Sequence, residues 1–238
     1  MAHNTYFQFK QFKIVQEKTA MKVNTDGVLL GAWANINEVR TVLDVGTGTG
    51  LIALMIAQRC DAKITGLEIE KSAAEEAVQN VQNSKWRSRI VIQNCSFQYF
   101  SANTDDKFDL IVSNPPFFSN GIKNANPHLS MARHNHMLPF DDIISGTAKL
   151  LGERGKLALI LPSGQANVFV EKAKVNGLFL TRVTEVSPFP DKEPNRILME
   201  FARVQEIVQK TQMSVFDNSK KEYSSVFSAL AREFYLKL

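Results

Sequence analysis

Val42-Leu43-Asp44-Val45-Gly46-Thr47-Gly48-Thr49-Gly50 is the stretch on which the fold turns. Its first residues read as a buried strand, and its three alternating glycines as a turn whose backbone passes close to a ligand. Leu51, Leu54, Met55, Ile56 and Ala57 then mark the apolar face of a helix. Strand, glycine turn and helix in that order make a nucleotide-binding βα unit, because the helix presents its positive N-terminal end above the strand. The next apolar run, Lys63 to Glu68, ends in an acid 18 residues after Gly50. Glu68 is placed there to accept hydrogen bonds from both hydroxyls of a ribose.

A dinucleotide fold is the first rival, since its G-x-G-x-x-G fingerprint also sets an acid about 20 residues on. Here the spacing is G-x-G-x-G, with Leu51 at the place of the third dinucleotide glycine. Asp44, directly before the loop, is unfavourable beside a pyrophosphate but suits a ligand carrying an ammonium group. S-adenosylmethionine has an ammonium, a ribose and no phosphate.

Working outward, Lys71 to about Lys85 is helical by composition, Arg89 to Gln93 reads as a third strand with Ile90 and Ile92 inward, and Phe108 to Ser113 as a fourth. Strands alternating with helices imply a parallel, doubly wound α/β sheet whose ligands lie beyond the carboxyl ends of the strands. The fourth strand runs into Asn114-Pro115-Pro116-Phe117-Phe118. Two prolines in succession fix two φ angles and remove two donors, so the Asn114 amide and the Pro115 carbonyl are held in a preset direction. That turn can grip a planar amine, and the sheet topology puts it in the same crevice as the glycine loop.

The chain has 238 residues, 44% hydrophobic and 22% charged, with a formal charge of +4. These values are ordinary for a globular chain, expected here as one domain: a basic, aromatic arm (1–24), a catalytic core (25–204) and a C-terminal extension with a docking helix (205–238). The longest apolar runs are strand-sized and the N-terminus lacks the apolar core of a signal peptide, so a cytoplasmic address and no membrane partner are expected. Cys60 and Cys95 form no metal-ligand or disulfide pattern and read as packing residues. In the arm, Lys10, Lys13, Lys18 and Lys22 interleave with Tyr6, Phe7, Phe9 and Phe12. Cations with aromatics suit single-stranded nucleic acid; a hairpin with its aromatics turned to the core is the favoured reading.

Thr25 or Asp26 is read as the N-cap of a helix carrying Val28, Leu29 and Trp33. The polar segment from Phe118 to Met137 contains Lys123, His128, Arg133, His134 and His136, and the H-x5-H-x-H spacing fits no zinc pattern, so no metal is expected. Arg133 faces either an RNA phosphate or a local carboxylate such as Asp141. Farther on, the sequence predicts a helix opened by Pro139 to Ile144 and running to Leu151, and a fifth strand from Gly155 to Leu161. A helix from Ala166 to Asn176 and a pair of extended segments, Leu178 to Val186 and Asn195 to Ala202, follow as the antiparallel end of the sheet. The last helix, from Tyr223 to about Lys237, sets Phe227, Leu230, Phe234 and Leu238 on one face.

Asp44 with the glycine loop, and Asn114 to Phe117, resemble the amino-methylating group of class I S-adenosylmethionine-dependent methyltransferases. Met21 to Trp33, Ala132-Arg133-His134 and the ending Phe234-Tyr235-Leu236-Lys237-Leu238 resemble more narrowly the bacterial tRNA1(Val) adenine-37 N6-methyltransferase family. The resemblance implies a Rossmann-like, mostly parallel seven-stranded sheet with an antiparallel strand near the C-terminus, S-adenosylmethionine as cofactor and tRNA as partner, with a monomer favoured. It implies catalytic roles for Asn114, Pro115, Pro116 and Phe117, cofactor contacts at Thr25, Asp26, Asp44, Gly46, Gly48, Gly50, Glu68 and Ser96, and substrate contacts at Lys22, Phe118 and Arg133. Ser96 stands where the family usually has an aspartate for the cofactor adenine. Open alternatives are methylation of a glutamine side chain in a release factor, N6-adenine methylation of ribosomal RNA or DNA, and an RNA-binding module without activity.

Overall fold

The computed structural model describes residues 4–116, 138–219 and 221–238. The N-terminal arm is a hairpin of β1 (Tyr6–Gln8) and β2 (Lys13–Val15), antiparallel with Phe7 opposite Ile14. Phe9, Phe12 and Ile14 are buried while Tyr6, Lys10 and Lys13 stay exposed, which is the inward-facing hairpin of the favoured reading. Next comes α1 (Thr25–Trp33). Its cap is Asn24, whose Oδ1 accepts from the Gly27 N–H at 2.8 Å, and this corrects the assignment to Thr25 or Asp26. All three residue types cap well, and only the backbone decides which of them keeps a non-helical conformation.

The central units follow as β3 (Thr41–Val45), α2 (Leu51–Arg59), β4 (Lys63–Glu68), α3 (Lys71–Gln82), β5 (Ile90–Asn94), α4 (Phe97–Asn103) and β6 (Phe108–Ser113). The α3 helix stops at Gln82, earlier than expected, and α4 is a short helix that the residue pattern did not announce. Then come α5 (Phe140–Leu150), β7 (Leu151–Pro162), α6 (Ser163–Val175), β8 (Phe179–Ser187), β9 (Arg196–Ala202), β10 (Gln209–Ser214) and α7 (Ser225–Ala231). The last helix is shorter than expected: beyond it the amides of Phe234 and Tyr235 both donate to the Ala231 carbonyl, closing the chain in turns. Phe227 and Phe234 are nonetheless buried, so the tail docks as its spacing predicts.

The sheet order is β10-β8-β9-β7-β6-β3-β4-β5. Only β9 is reversed, antiparallel to both β7 and β8. The sheet has eight strands rather than seven because β10 adds in parallel to the free edge of β8. Its sequence, Gln-Lys-Thr-Gln-Met-Ser, has Met213 as its single apolar residue and so carries no apolar alternation to announce a strand.

Alternate residues of the central strands feed two apolar clusters on opposite faces of the sheet. Val42, Leu110, Val112 and Ile160 pack with α1, α2 and the hairpin, while Leu43, Ile111, Leu157 and Leu159 pack with α4, α5 and α6. Burial on both faces is what a parallel sheet requires, and it leaves the strand ends as the free surface for chemistry.

Candidate active site

The chain steps outward through β3, β4 and β5, then returns to place β6 against the other edge of β3. This is the switch point, where connections leave in opposite directions and open a crevice. Val45 pairs with Ser113, Leu67 with Val45, and Glu68 with Asn94. The four strand ends therefore lie side by side, and the glycine loop and the Asn114 turn spring from adjacent positions. A cavity of about 280 Å³ opens above them, lined by Gly46, Gly48, Glu68, Ser96, Asn114, Pro115 and Pro116 among others. Six residues from the two expected motifs and the adenine position thus share one crevice with Glu68.

Gly46, Gly48 and Gly50 have φ of 73°, 56° and 81°, the left-handed region that a Cβ disfavours. Their conformation turns the loop so that the Gly46 and Thr47 amides both donate to the Leu67 carbonyl, at 3.0 and 2.9 Å. Glu68 is fixed by two backbone donors, its Oε2 accepting from the Gly48 amide and its Oε1 from the Glu70 amide, each at 2.9 Å. Each oxygen keeps lone-pair capacity for a further donor.

Asp44 lies fully buried behind the loop. One oxygen, Oδ2, accepts from the Thr47 hydroxyl at 2.6 Å and from the Ala53 amide at 3.2 Å, while Oδ1 has no partner. Burial pushes its carboxyl up from 3.8 to about 7, against the pull of those two bonds, and the nearby Glu68 charge adds to the rise.

Asn114 shows the same feature: its Oδ1 is buried with no hydrogen-bond partner. Just before it, the Ser113 hydroxyl donates to the Val45 carbonyl at 3.0 Å, tying the start of the turn to the end of β3. Pro115 is buried and Pro116 exposed. An orphaned buried oxygen costs about 1 to 3 kcal/mol, a cost that a ligand donor removes.

The expected residues differ in what holds them and in whether they reach the crevice. Ser96 lines the cavity but its hydroxyl accepts from the Tyr99 amide at 3.0 Å as the cap of α4. Gly50 caps α2 and faces Ala77 rather than the cavity. Thr25 is exposed, and Asp26 is paired with the Arg196 Nε at 2.8 Å, so neither lines the crevice. Lys22 is exposed, with its Nζ 3.4 Å from the Asn4 carbonyl. Phe117, Phe118, Arg133 and the three histidines between 128 and 136 lie outside the described residues. Asp141, the local carboxylate weighed for Arg133, is held by Lys172 at 2.7 Å. Cys95 lines the crevice, where burial raises its thiol pKa and keeps it protonated.

Sequence reasoning missed one wall of the cavity. Thr19, Ala20 and Met21 form it, and the segment from Val15 to Thr19 that leads into it is bonded by two polar residues of α3. Glu76, almost fully buried, accepts from the amides of Glu17 (2.6 Å), Lys18 (2.8 Å) and Thr19 (3.0 Å) and from the Thr19 hydroxyl. Burial pushes its carboxyl up, but these donors outweigh it and hold the group below the usual carboxylate range. Asn80 accepts from the Val15 amide and donates to the carbonyls of Val15 and Thr49, joining the arm to the glycine loop. The signal was present, since Glu76 and Asn80 stand at helical spacing with buried Ala73 and Ala77, polar groups on a core-facing stripe.

A doubly wound sheet with one reversed strand, a glycine loop after β3 and an acid closing β4 is the build of a Rossmann-like methyltransferase, and the profile of the methyltransferase small domain matches residues 25–167. The same fold is seen in a predicted O-methyltransferase from Agrobacterium tumefaciens, with a TM-score of 0.67 at 18% identity over 88% of this chain and 96% of that one. Two relatives carry the name tRNA1(Val) (adenine(37)-N6)-methyltransferase. The protein of Parabacteroides distasonis is 40% identical over 235 residues, 99% of either chain, and that of Trichodesmium erythraeum 42% identical over 234 residues, 97% of this chain and 98% of its own. The chain belongs to that family of methyltransferases.

Proposed function

We propose that this chain transfers a methyl group from S-adenosylmethionine to the N6 amine of an adenosine in RNA, adenosine 37 in the anticodon loop of tRNA1(Val). The observation that carries the reading is the buried, unpartnered Oδ1 of Asn114 at the mouth of a crevice shared with the glycine loop and Glu68. The names of the relatives supply the substrate.

The residues present fit the cofactor. Asp44 offers a buried oxygen without a partner to an ammonium, directly or through water, and Glu68 offers two positioned oxygens to vicinal hydroxyls. The left-handed glycines let the ligand approach the backbone closely. When bound, S-adenosylmethionine supplies an electrophilic methyl on a sulfonium sulfur.

The amine side follows from the turn. The N6 lone pair of adenine is delocalised into the ring, and attack requires it to localise. The Asn114 Oδ1 and the Pro115 carbonyl each accept one amine hydrogen, which favours a tetrahedral nitrogen and directs the lone pair into the crevice. The prolines hold both acceptors before the substrate arrives. Phe117 and Phe118 are assigned to stack on the extruded base, and Lys22 and Arg133 to meet the RNA backbone. An anticodon loop is already single-stranded, which lowers the unstacking cost.

The test is to incubate the protein separately with labelled S-adenosylmethionine and total tRNA, ribosomal RNA or release factor, then map the product. Label confined to N6 of adenosine 37 in tRNA1(Val) is expected. Label on a glutamine, on ribosomal RNA or on no macromolecule would overturn the substrate assignment.

A further inference from the structure

Two segments, the residues just before α1 and the last residues of the chain, meet in space. Between them lies a second cavity, of about 540 Å³, walled by Phe7 of β1, Val23 and Asn24 before α1, and Tyr223, Tyr235 and Lys237 of the C-terminal region. Three aromatic rings face one space. Phe7 and Tyr235 stand edge to face with centroids 5.8 Å apart, and Tyr223 and Tyr235 are 6.0 Å apart. Tyr223 stacks on both Phe216 and Phe227 and is still more than a third exposed, so part of the residue is open to the cavity.

This cavity adjoins the crevice. A Cβ placed on Gly27 would lie 3.6 Å from the Asn24 Oδ1 and 4.0 Å from the Asn114 Nδ2. One asparagine lines each cavity, so these two lining side chains are closer together than an α-helix is wide. The rim is cationic. Lys237 lines the cavity, Lys22 precedes Val23 with its side chain exposed, and Lys13 lies over the Tyr6 ring at 5.2 Å on the same hairpin. Flat aromatic walls, a cationic rim and contiguity with the amine-gripping turn are the requirements of a nucleotide neighbouring the methylated one in a single strand.

We propose that this second cavity is an RNA subsite that takes the base of a nucleotide flanking the target adenosine. The base packs against the open edge of Tyr223 and against Tyr235, and Lys237 with Lys22 meets its phosphates. Stacking tolerates any base because every base has a π face, so the subsite reads the presence of a base at that distance rather than its identity. The inference rests on the RNA reading of the crevice.

Anticodon stem-loop RNAs in which each nucleotide beside the target adenosine is replaced in turn by an abasic ribose test it, with KM for RNA, kcat and the dissociation constant of S-adenosylmethionine measured for each. Wild-type protein should show a roughly tenfold rise in KM at one flanking position with kcat nearly unchanged. Tyr223→Leu and Lys237→Glu should each raise KM for the intact loop, leave S-adenosylmethionine binding as in wild type, and Tyr223→Leu should lose the sensitivity to the abasic position. Lys237→Glu lies on an exposed tail and keeps the test valid should Tyr223→Leu fail to fold. Methylation of the loop with no dependence on any flanking base, or an unchanged KM in Lys237→Glu, would overturn the subsite alone. No methyl transfer to any loop would overturn the RNA reading and the subsite with it.

Discussion

Asn114 and Asp44 present the same physical oddity, a buried oxygen without a donor, and give opposite kinds of prediction. Asn114→Ala removes an acceptor used only as the amine nitrogen becomes tetrahedral. It should lower kcat by about 10²- to 10³-fold while calorimetry finds S-adenosylmethionine binding nearly intact. Asp44 acts through charge. Its carboxyl ionises at 3.8 when unfolded but at about 7 when folded. The folded state therefore binds the proton more tightly, and stability falls as pH rises through that window. Asp44→Asn should melt higher than wild type above about pH 7, with the difference closing toward about pH 4. Cofactor binding should run the other way, because an ammonium favours the ionised form: wild-type affinity should tighten from about pH 6 to about pH 8, and the asparagine variant should bind weakly without that slope.

At the scale of elements, the decisive contact is between α3 and the arm. One carboxylate receives three amides and a hydroxyl, and the segment it gathers is a wall of the crevice. Glu76→Gln keeps the size but turns an amide nitrogen toward donors. It should weaken S-adenosylmethionine binding by about tenfold with kcat at saturation retained, the pattern of lost positioning rather than lost chemistry. Because the donors hold this carboxyl below the usual range, its contribution to stability is complete above the unfolded pKa and is lost as pH falls through the folded one. The arm follows the favoured hairpin reading rather than the nucleic-acid alternative for its aromatics: its Phe9 and Phe12 rings stack on each other in the core, 4.6 Å apart, and its lysines stay exposed.

Across the whole molecule, the two ends of the chain close on each other. The Lys10 amide donates to the Phe234 carbonyl at 2.7 Å, and the Lys10 ammonium donates to the Leu238 carbonyl at 2.9 Å. Phe234 is buried in the cluster that also contains Phe9, Val28 and Leu54. Phe234→Ala should cost about 3 to 5 kcal/mol and lower the melting temperature by more than about 6 °C.

What the sequence determined by itself is local. The strands of the centre, the glycine loop, Glu68 at the end of β4 and the Asn114 turn at the end of β6 were legible because period, glycine conformation and proline geometry act within a few residues. The pairing of those motifs in one crevice followed from strand order. Other features depended on partners distant in the chain: the eighth strand, Glu76 beneath the arm and the second cavity between the termini. The cavity exists only where the two ends of the chain meet, and the strand and Glu76 are polar features whose meaning is set by what tertiary packing brings against them, since a polar side chain reads as solvated until a buried donor faces it.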